Sequence, residues 1–161
     1  MRTKVGNGSL RLPMWGGKFY TVFGGPYMDK PRHFAGVKMA VEIDKSATVR
    51  INTHDFKTPP VNQLNSGLDK AVQLILKRRR VYVGCMGGRG RTGLFMAVLA
   101  KSWGIEDPVG YVRRNYYPHA VETKDQYKFV EDYRVPVKTI NRIKWARFIT
   151  LLSFKRDLTK K

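Results

Sequence analysis

The residues in this sequence best equipped for chemistry lie together, in the run Cys85-Met86-Gly87-Gly88-Arg89-Gly90-Arg91-Thr92-Gly93. A cysteine attacks an electrophilic centre as its thiolate, and positive charge and amide donors around the sulfur favour that form. This run supplies both. It follows Val81-Tyr82-Val83, which reads as a short buried strand, and leads into Thr92 to Trp103, which reads as a helix stopped by Gly104. A glycine-rich turn between a strand end and a helix N-terminus aims several backbone N–H groups at one point, where the helix dipole favours the same negative group. Gly87, Gly88 and Gly90 permit the positive φ angles and close approach that such a nest needs.

Arg91 closes the loop six residues after Cys85. Its planar fork can hold two phosphate oxygens at once, and it stays charged while negative charge redistributes in a transition state. Thr92 sets a hydroxyl where it could donate to the cysteine sulfur when that sulfur becomes a leaving group. The phosphate-binding set is then Met86, Gly87, Gly88, Arg89, Gly90 and Arg91. A buried, inert cysteine beside an ordinary turn is the usual fate of a lone thiol, but it leaves the coincidence of these glycines, Arg91 and Thr92 unexplained.

Other elements must position this loop. The first 36 residues are punctuated by glycine and proline and read as a loop-rich segment with one β-like run, Lys18 to Phe23. Val37, Met39, Val41 and Ile43 alternate with polar or small residues, and Thr48 to Asn52 is β-branched, so both read as strands. After Pro59-Pro60, apolar residues from Val61 to Leu76 recur at three- and four-residue intervals, an amphipathic helix ending in Lys77 to Arg80. Pro108 opens another helix, with Asp107 as its start. Thr123 and Gln126 form a capping box for a further one to about Tyr133. The basic tail from Lys138 onward carries Ile140, Ile143, Ile149 and Leu152 at helical spacing. There is no internal repeat.

Composition bounds the rest. The chain has 161 residues, enough for one domain with a real core. Cys85 is the single cysteine, which excludes an internal disulfide framework and favours a reducing compartment. No apolar run approaches the length of a membrane span and the N-terminus lacks the apolar core of a secretory signal, so a soluble, cytoplasmic protein is expected. The formal charge of +19 predicts attraction to phosphates. His33, His54 and His119 show no metal-ligand spacing, and neither metal nor cofactor is expected.

At the Cys85 to Thr92 loop the sequence resembles the cysteine-dependent protein tyrosine and dual-specificity phosphatases, whose signature is His-Cys, five residues, Arg, then Ser or Thr. The resemblance runs from about Val37 to Tyr133. Asp55-Phe56 with Pro59-Pro60, thirty positions before the cysteine, looks like the family's general-acid loop, and Pro118 to Gln126 is similar to the segment that closes its catalytic domain. The resemblance implies a compact α/β domain, a central mixed sheet flanked by helices, with residues 37–133 as catalytic core, 1–36 packed on it and 134–161 a basic helical extension. It implies that Cys85 attacks phosphorus to form a phosphocysteine, that Asp55 protonates the leaving oxygen, and that Gln126 positions the hydrolytic water. An Asp in a proline-rich loop also caps turns, and Asp107 is the rival acid, though its Glu-Asp-Pro setting looks like a helix start. Two positions depart from the family: Gly84 stands where His is usual, and Tyr117 where many relatives carry Arg.

The implied substrate is a phosphorylated protein, with an RNA 5′-phosphate or a phosphoinositide as alternatives that suit the basic surface equally. A catalytically weakened phosphate-binding module is the reading from another class, motivated by Gly84. The tail has two readings, a basic amphipathic helix docking on a membrane or partner, or a terminal helix packed on the domain, and the second is favoured because Trp145, Phe148 and Phe154 broaden its apolar surface. Tyr116, Tyr117 and Tyr127 are expected as packing residues.

Overall fold

The computed structural model describes residues 6–159; residues 1–5 and 160–161, the ends of the expected N-terminal segment and basic tail, lie outside the described residues. Five strands form one mixed sheet in the order β1-β2-β5-β3-β4. They are β1 (Gly8–Pro13), β2 (Phe19–Pro26), β3 (Ala35–Ala40), β4 (Val49–Thr53) and β5 (Val81–Cys85). Only β1 and β2 pair antiparallel; β2, β5, β3 and β4 run parallel to one another. A central parallel strand is covered on both faces, and β5 is accordingly buried along its whole length.

The helices are α1 (Val61–Leu76), α2 (Gly90–Ser102), α3 (Pro108–Asn115), α4 (Lys124–Asp132) and α5 (Val137–Leu158). Helix α1 packs on the sheet with Leu64, Leu68, Val72 and Ile75 buried, each stabilising the fold by about 1.5–3 kcal/mol. Helix α2 is buried on nearly every side between the sheet and the α3–α4 pair. The Asp107 carboxylate accepts from Gly110 N–H at 3.0 Å and caps α3, and Thr123 and Gln126 close both bonds of the capping box on α4.

Three differences from the sequence reading bear on the site. The glycine- and proline-rich N-terminal segment holds two strands, not one, and β2 lies directly beside β5. The strand expected over Val37 to Ile43 ends at Ala40, because buried Lys38 turns its ammonium onto the Ile43 carbonyl and folds residues 41–43 into a turn. Helix α5 buries residues through its first half, and its second half lies against the N-terminal segment, where Arg147 donates to Pro13 O at 3.2 Å and Phe154 covers Gly16. Asp69 of α1 receives Arg142 at 3.2 Å and Lys138 at 3.6 Å, and Thr139 and Ile143 are buried. Burial pushes the Asp69 carboxyl up, but the bond and charge from Arg142 outweigh it and hold it down. Beyond Ile143, Trp145, Phe148, Ile149 and Leu152 face solvent, so the expected packing of the whole apolar set does not occur. Among the described residues no helix is long and apolar enough to cross a membrane.

Candidate active site

The parallel sheet delivers β5 into the loop 86–89 and then into α2, so Cys85 ends a buried strand at the mouth of a helix N-terminus. Cys85 is 3% exposed. Its sulfur accepts a hydrogen bond from Thr92 Oγ1 at 3.1 Å.

Arg91 occupies the first turn of α2 and is 2% exposed. Its two terminal nitrogens are engaged. Nη1 donates to Glu42 Oε2 at 2.8 Å and to the Thr53 carbonyl at 2.9 Å, while Nη2 meets Glu42 Oε1 at 2.6 Å and Asp55 Oδ1 at 3.1 Å. Burial opposes the charge on Arg91, but the Glu42 bonds more than compensate and raise its pKa. The same bonds hold the Glu42 carboxyl below its ordinary value. The one remaining donor, Nε, is buried and has no hydrogen-bond partner among the described residues.

Glu42 is a site residue that the sequence reading missed. In an alternating run it looks like the polar face of a strand, and only the turn made by Lys38 carries it out to Arg91. Asp55 follows the last residues of β4, and its exposed carboxylate also accepts from Phe56 N–H at 3.1 Å. Phe56 itself adopts φ +57, the left-handed region that a bulky residue rarely enters, so the loop carrying Asp55 is held in a strained bend.

The glycine loop is shaped by two further residues whose part the sequence did not reveal. Asn7 Nδ2 donates to the carbonyls of Gly87 and Gly88 at 3.0 and 3.3 Å, and the buried Tyr116 hydroxyl donates to Gly88 O at 2.5 Å. Tyr116 is thus more than a packing residue, and burial pushes its phenol well up, with the nearby Cys85 charge adding to the effect. With these carbonyls engaged, the loop amides remain as donors. Gly88 sits at φ +69, and any side chain there would run into the Gly25 backbone.

Gly84 has a steric explanation as well. A Cβ at this position would lie 2.7 Å from Tyr27 Cα and 3.0 Å from the Gly25 carbonyl oxygen, so Tyr27 fills the space a histidine would need. Arg89 lies at the N-cap of α2 with its guanidinium 5.5 Å from the centre of the Tyr117 ring. Gln126 is fully buried beside Gly90; its carbonyl oxygen accepts from Glu122 and Thr123 N–H, and its amide reaches the Lys57 carbonyl of the loop carrying Asp55 at 3.4 Å. Asp107 is committed to capping α3 and pairs with Arg114, away from Cys85. Among the described residues no group of three or more His, Cys, Asp or Glu is placed to hold a metal ion.

The structure therefore brings Cys85, Arg91, Thr92 and Asp55 to one point, with Glu42 between the sheet and the loop. Residues 35–104 match the family model described as "Polymorphic toxin system, DSP-PTPase phosphatase". Over 86 residues the chain is 38% identical to uncharacterized protein MJ0215 of Methanocaldococcus jannaschii, covering 53% of this chain and 54% of that one, so it spans about half the length of that curated relative. Among solved structures, Tk-PTP in its active form is similar at 27% identity and TM-score 0.54, over 63% of this chain and 78% of that one. The kinase associated phosphatase KAP, solved with serine in place of its catalytic-site cysteine, shares the fold at 16% identity and TM-score 0.62, over 83% of this chain and 96% of that one. The segment matched by the family model runs from β3 to the end of α2, and thus contains Glu42, Asp55, Cys85, Arg91 and Thr92. The family match over residues 35–104, the similarity to Tk-PTP and the fold shared with KAP support the cysteine-dependent protein tyrosine phosphatase superfamily, with a dual-specificity-phosphatase-like fold.

Proposed function

We propose that the protein hydrolyses phosphomonoesters through a phosphocysteine. The observation that carries this reading is the single unpartnered donor of buried Arg91, beside a cysteine whose sulfur is already hydrogen-bonded by Thr92. A phosphoryl group seated over Cys85 gives that Nε an acceptor and takes the loop amides from Met86 to Arg91 as its remaining donors. The Cys85 thiolate forms the S–P bond as the ester P–O bond breaks, and Asp55 passes its proton to the leaving oxygen. Water then attacks phosphorus, Asp55 takes its proton back, and the S–P bond breaks with the sulfur leaving as a thiolate that Thr92 stabilises. Arg91 and the amides supply the positive charge for both steps.

Asp55 shares Nη2 of Arg91 with Glu42. The arriving phosphoryl oxygens compete for that guanidinium and so release Asp55 from it. Gln126 has spent its oxygen in the α4 cap, and its amide stands between the acid loop and Gly90, from where it can orient water by donation only. Phe56, Met86 and the Arg89–Tyr117 pair flank the acid and the nucleophile, and this mixed apolar and cationic rim suits the side chain of a phosphorylated protein, above all an aryl phosphate.

The test is hydrolysis of a small aryl phosphate in EDTA by wild type, Cys85→Ser and Asp55→Asn, followed by phosphopeptide, phosphoinositide and 5′-phosphorylated RNA panels. Loss of activity in the serine variant, and a fall of about a hundredfold or more in Asp55→Asn, is expected for these roles. A well-folded wild type that binds phosphate but turns over no panel member would instead make this a phosphate-recognition module.

A further inference from the structure

The end of the sheet remote from Cys85 carries a second cationic cleft. Its volume is about 540 Å³, and Lys18, Arg78, Arg79 and Arg80 line it together with Phe19 and Phe23, with no aspartate or glutamate in the lining. Arg80 immediately precedes β5 and Cys85 ends it, so at about 3.3 Å per residue the cleft opens roughly 15 Å from the nucleophile, at the opposite end of the strand. Among the described residues none of the four cations is paired with a carboxylate. Arg80 is held by His33 at 3.3 Å and by the face of Phe34, 5.8 Å from its guanidinium.

The backbone enters the left-handed region here, at a non-glycine residue. Helix α1 ends in paired bonds from Arg78 N–H to Ile75 O at 2.9 Å and from Arg79 N–H to Leu74 O at 3.0 Å, a Schellman closure, with Arg78 in the left-handed position at φ +57. Glycine is the residue that occupies this position at least cost. An exposed arginine there gives up stability relative to glycine, and Arg78, Arg79 and Arg80 all line the cleft.

We infer that this cleft binds the phosphates and base of a nucleotide, free or within single-stranded RNA, at a site separate from the catalytic loop. Four cations without a carboxylate partner call for more than one phosphate charge, and Phe23 together with Phe19, one face of which Arg11 covers, calls for a planar or apolar body attached to it. The concave shape selects a discrete ligand over a flat bilayer surface.

The test uses the full chain carrying Cys85→Ser, so that nothing is hydrolysed. A labelled 5′-phosphorylated oligoribonucleotide and adenosine diphosphate are titrated in the presence and absence of saturating vanadate, which occupies the catalytic loop. Binding that survives vanadate, weakens steeply with salt and falls about tenfold in Arg79→Gln supports the site. Binding of both probes marks a nucleotide pocket; binding of the oligonucleotide alone marks an RNA groove. Arg78→Gly is the sharper variant, because it removes a cation and relieves the left-handed strain: the site predicts weaker binding with an equal or higher Tm. Affinity unchanged in both variants, or complete displacement by vanadate, overturns the inference. So does binding of neither probe together with capture on phosphatidylserine vesicles that Phe148→Glu abolishes, which would move the anion-seeking surface to the outer face of α5.

Discussion

Glu42 and Arg91 form a two-pronged ion pair, at 2.8 and 2.6 Å, between the turn after β3 and the first turn of α2. The guanidinium is thereby held in one plane before any substrate arrives, with Nε as the only donor left over. In the proposed reaction a phosphoryl group then meets an arginine whose plane Glu42 has already set and which gives up only its Asp55 contact, and such preorganisation is where electrostatic catalysis gains most. Glu42→Gln should lower kcat/KM for an aryl phosphate by roughly ten- to a hundredfold, the worth of one or two charge-assisted bonds. Binding of inorganic phosphate should weaken less than turnover. Steady-state kinetics beside isothermal titration checks this, and equal losses in both would mean Glu42 aids binding alone.

The same pair sets a pH dependence of stability. Glu42 is held below its ordinary value of 4.5, so it binds fewer protons folded than unfolded in the window just beneath that value. Its stabilisation is fully present above pH 4.5 and is lost as pH falls through the depressed folded value. Wild type should therefore lose Tm faster than Glu42→Gln on acidification from about pH 5, and the gap between them should narrow. Parallel melting curves across that range would show that the pair contributes nothing to the fold.

Gly84 offers a test of whether the missing histidine is a loss or an accommodation. Because Tyr27 and Gly25 already occupy the space, Gly84→His should not restore a stronger enzyme. It should destabilise the domain by about 1–3 kcal/mol, the ordinary cost of overfilling a packed interior, and lower activity with it. Chemical denaturation together with aryl phosphate hydrolysis decides the matter; a histidine variant of native stability and higher kcat would mean that Tyr27 yields.

How far the site could be read in advance follows from how local its parts are. Cys85, the glycines, Arg91 and Thr92 lie within one strand-loop-helix unit, so their spacing alone places them around one point. Glu42, Asn7 and Tyr116 reach the same loop from the β3 turn, the N-terminal segment and the end of α3, and nothing in their own neighbourhoods marks them. Lys38 shows the physical reason most plainly. A lysine in an alternating run reads as a solvent-facing position, yet here it is 4% exposed and bends the chain by bonding Ile43 O, so the strand stops early and Glu42 swings toward Arg91. β1 was hidden because Gly8 and Pro13 bound it and read as breakers, although both suit the ends of an edge strand. Helix α5 shows the reverse case: its apolar spacing is real, but full burial ends at Ile143, and Trp145, Phe148, Ile149 and Leu152 beyond it stay largely in solvent.

Thr92 separates the two chemical steps. In the proposed mechanism its hydroxyl, which donates to Cys85 Sγ at 3.1 Å, comes from a fully buried side chain, so its removal leaves the sulfur without that donor. In the first step the sulfur is the attacking atom and a donor to it slightly restrains attack; in the second the sulfur departs with negative charge, and the same donor stabilises it. Thr92→Val keeps the shape of the side chain and deletes the donor. Breakdown of the phosphocysteine should slow by about ten- to a hundredfold, the effect of one hydrogen bond to a charged atom, while its formation is nearly unchanged. Rapid-quench measurement should then show a burst of released phenol close to one per protein and a phosphorylated Cys85 detectable by mass spectrometry. A variant that slows both steps alike, with no burst, would place Thr92 in loop support instead.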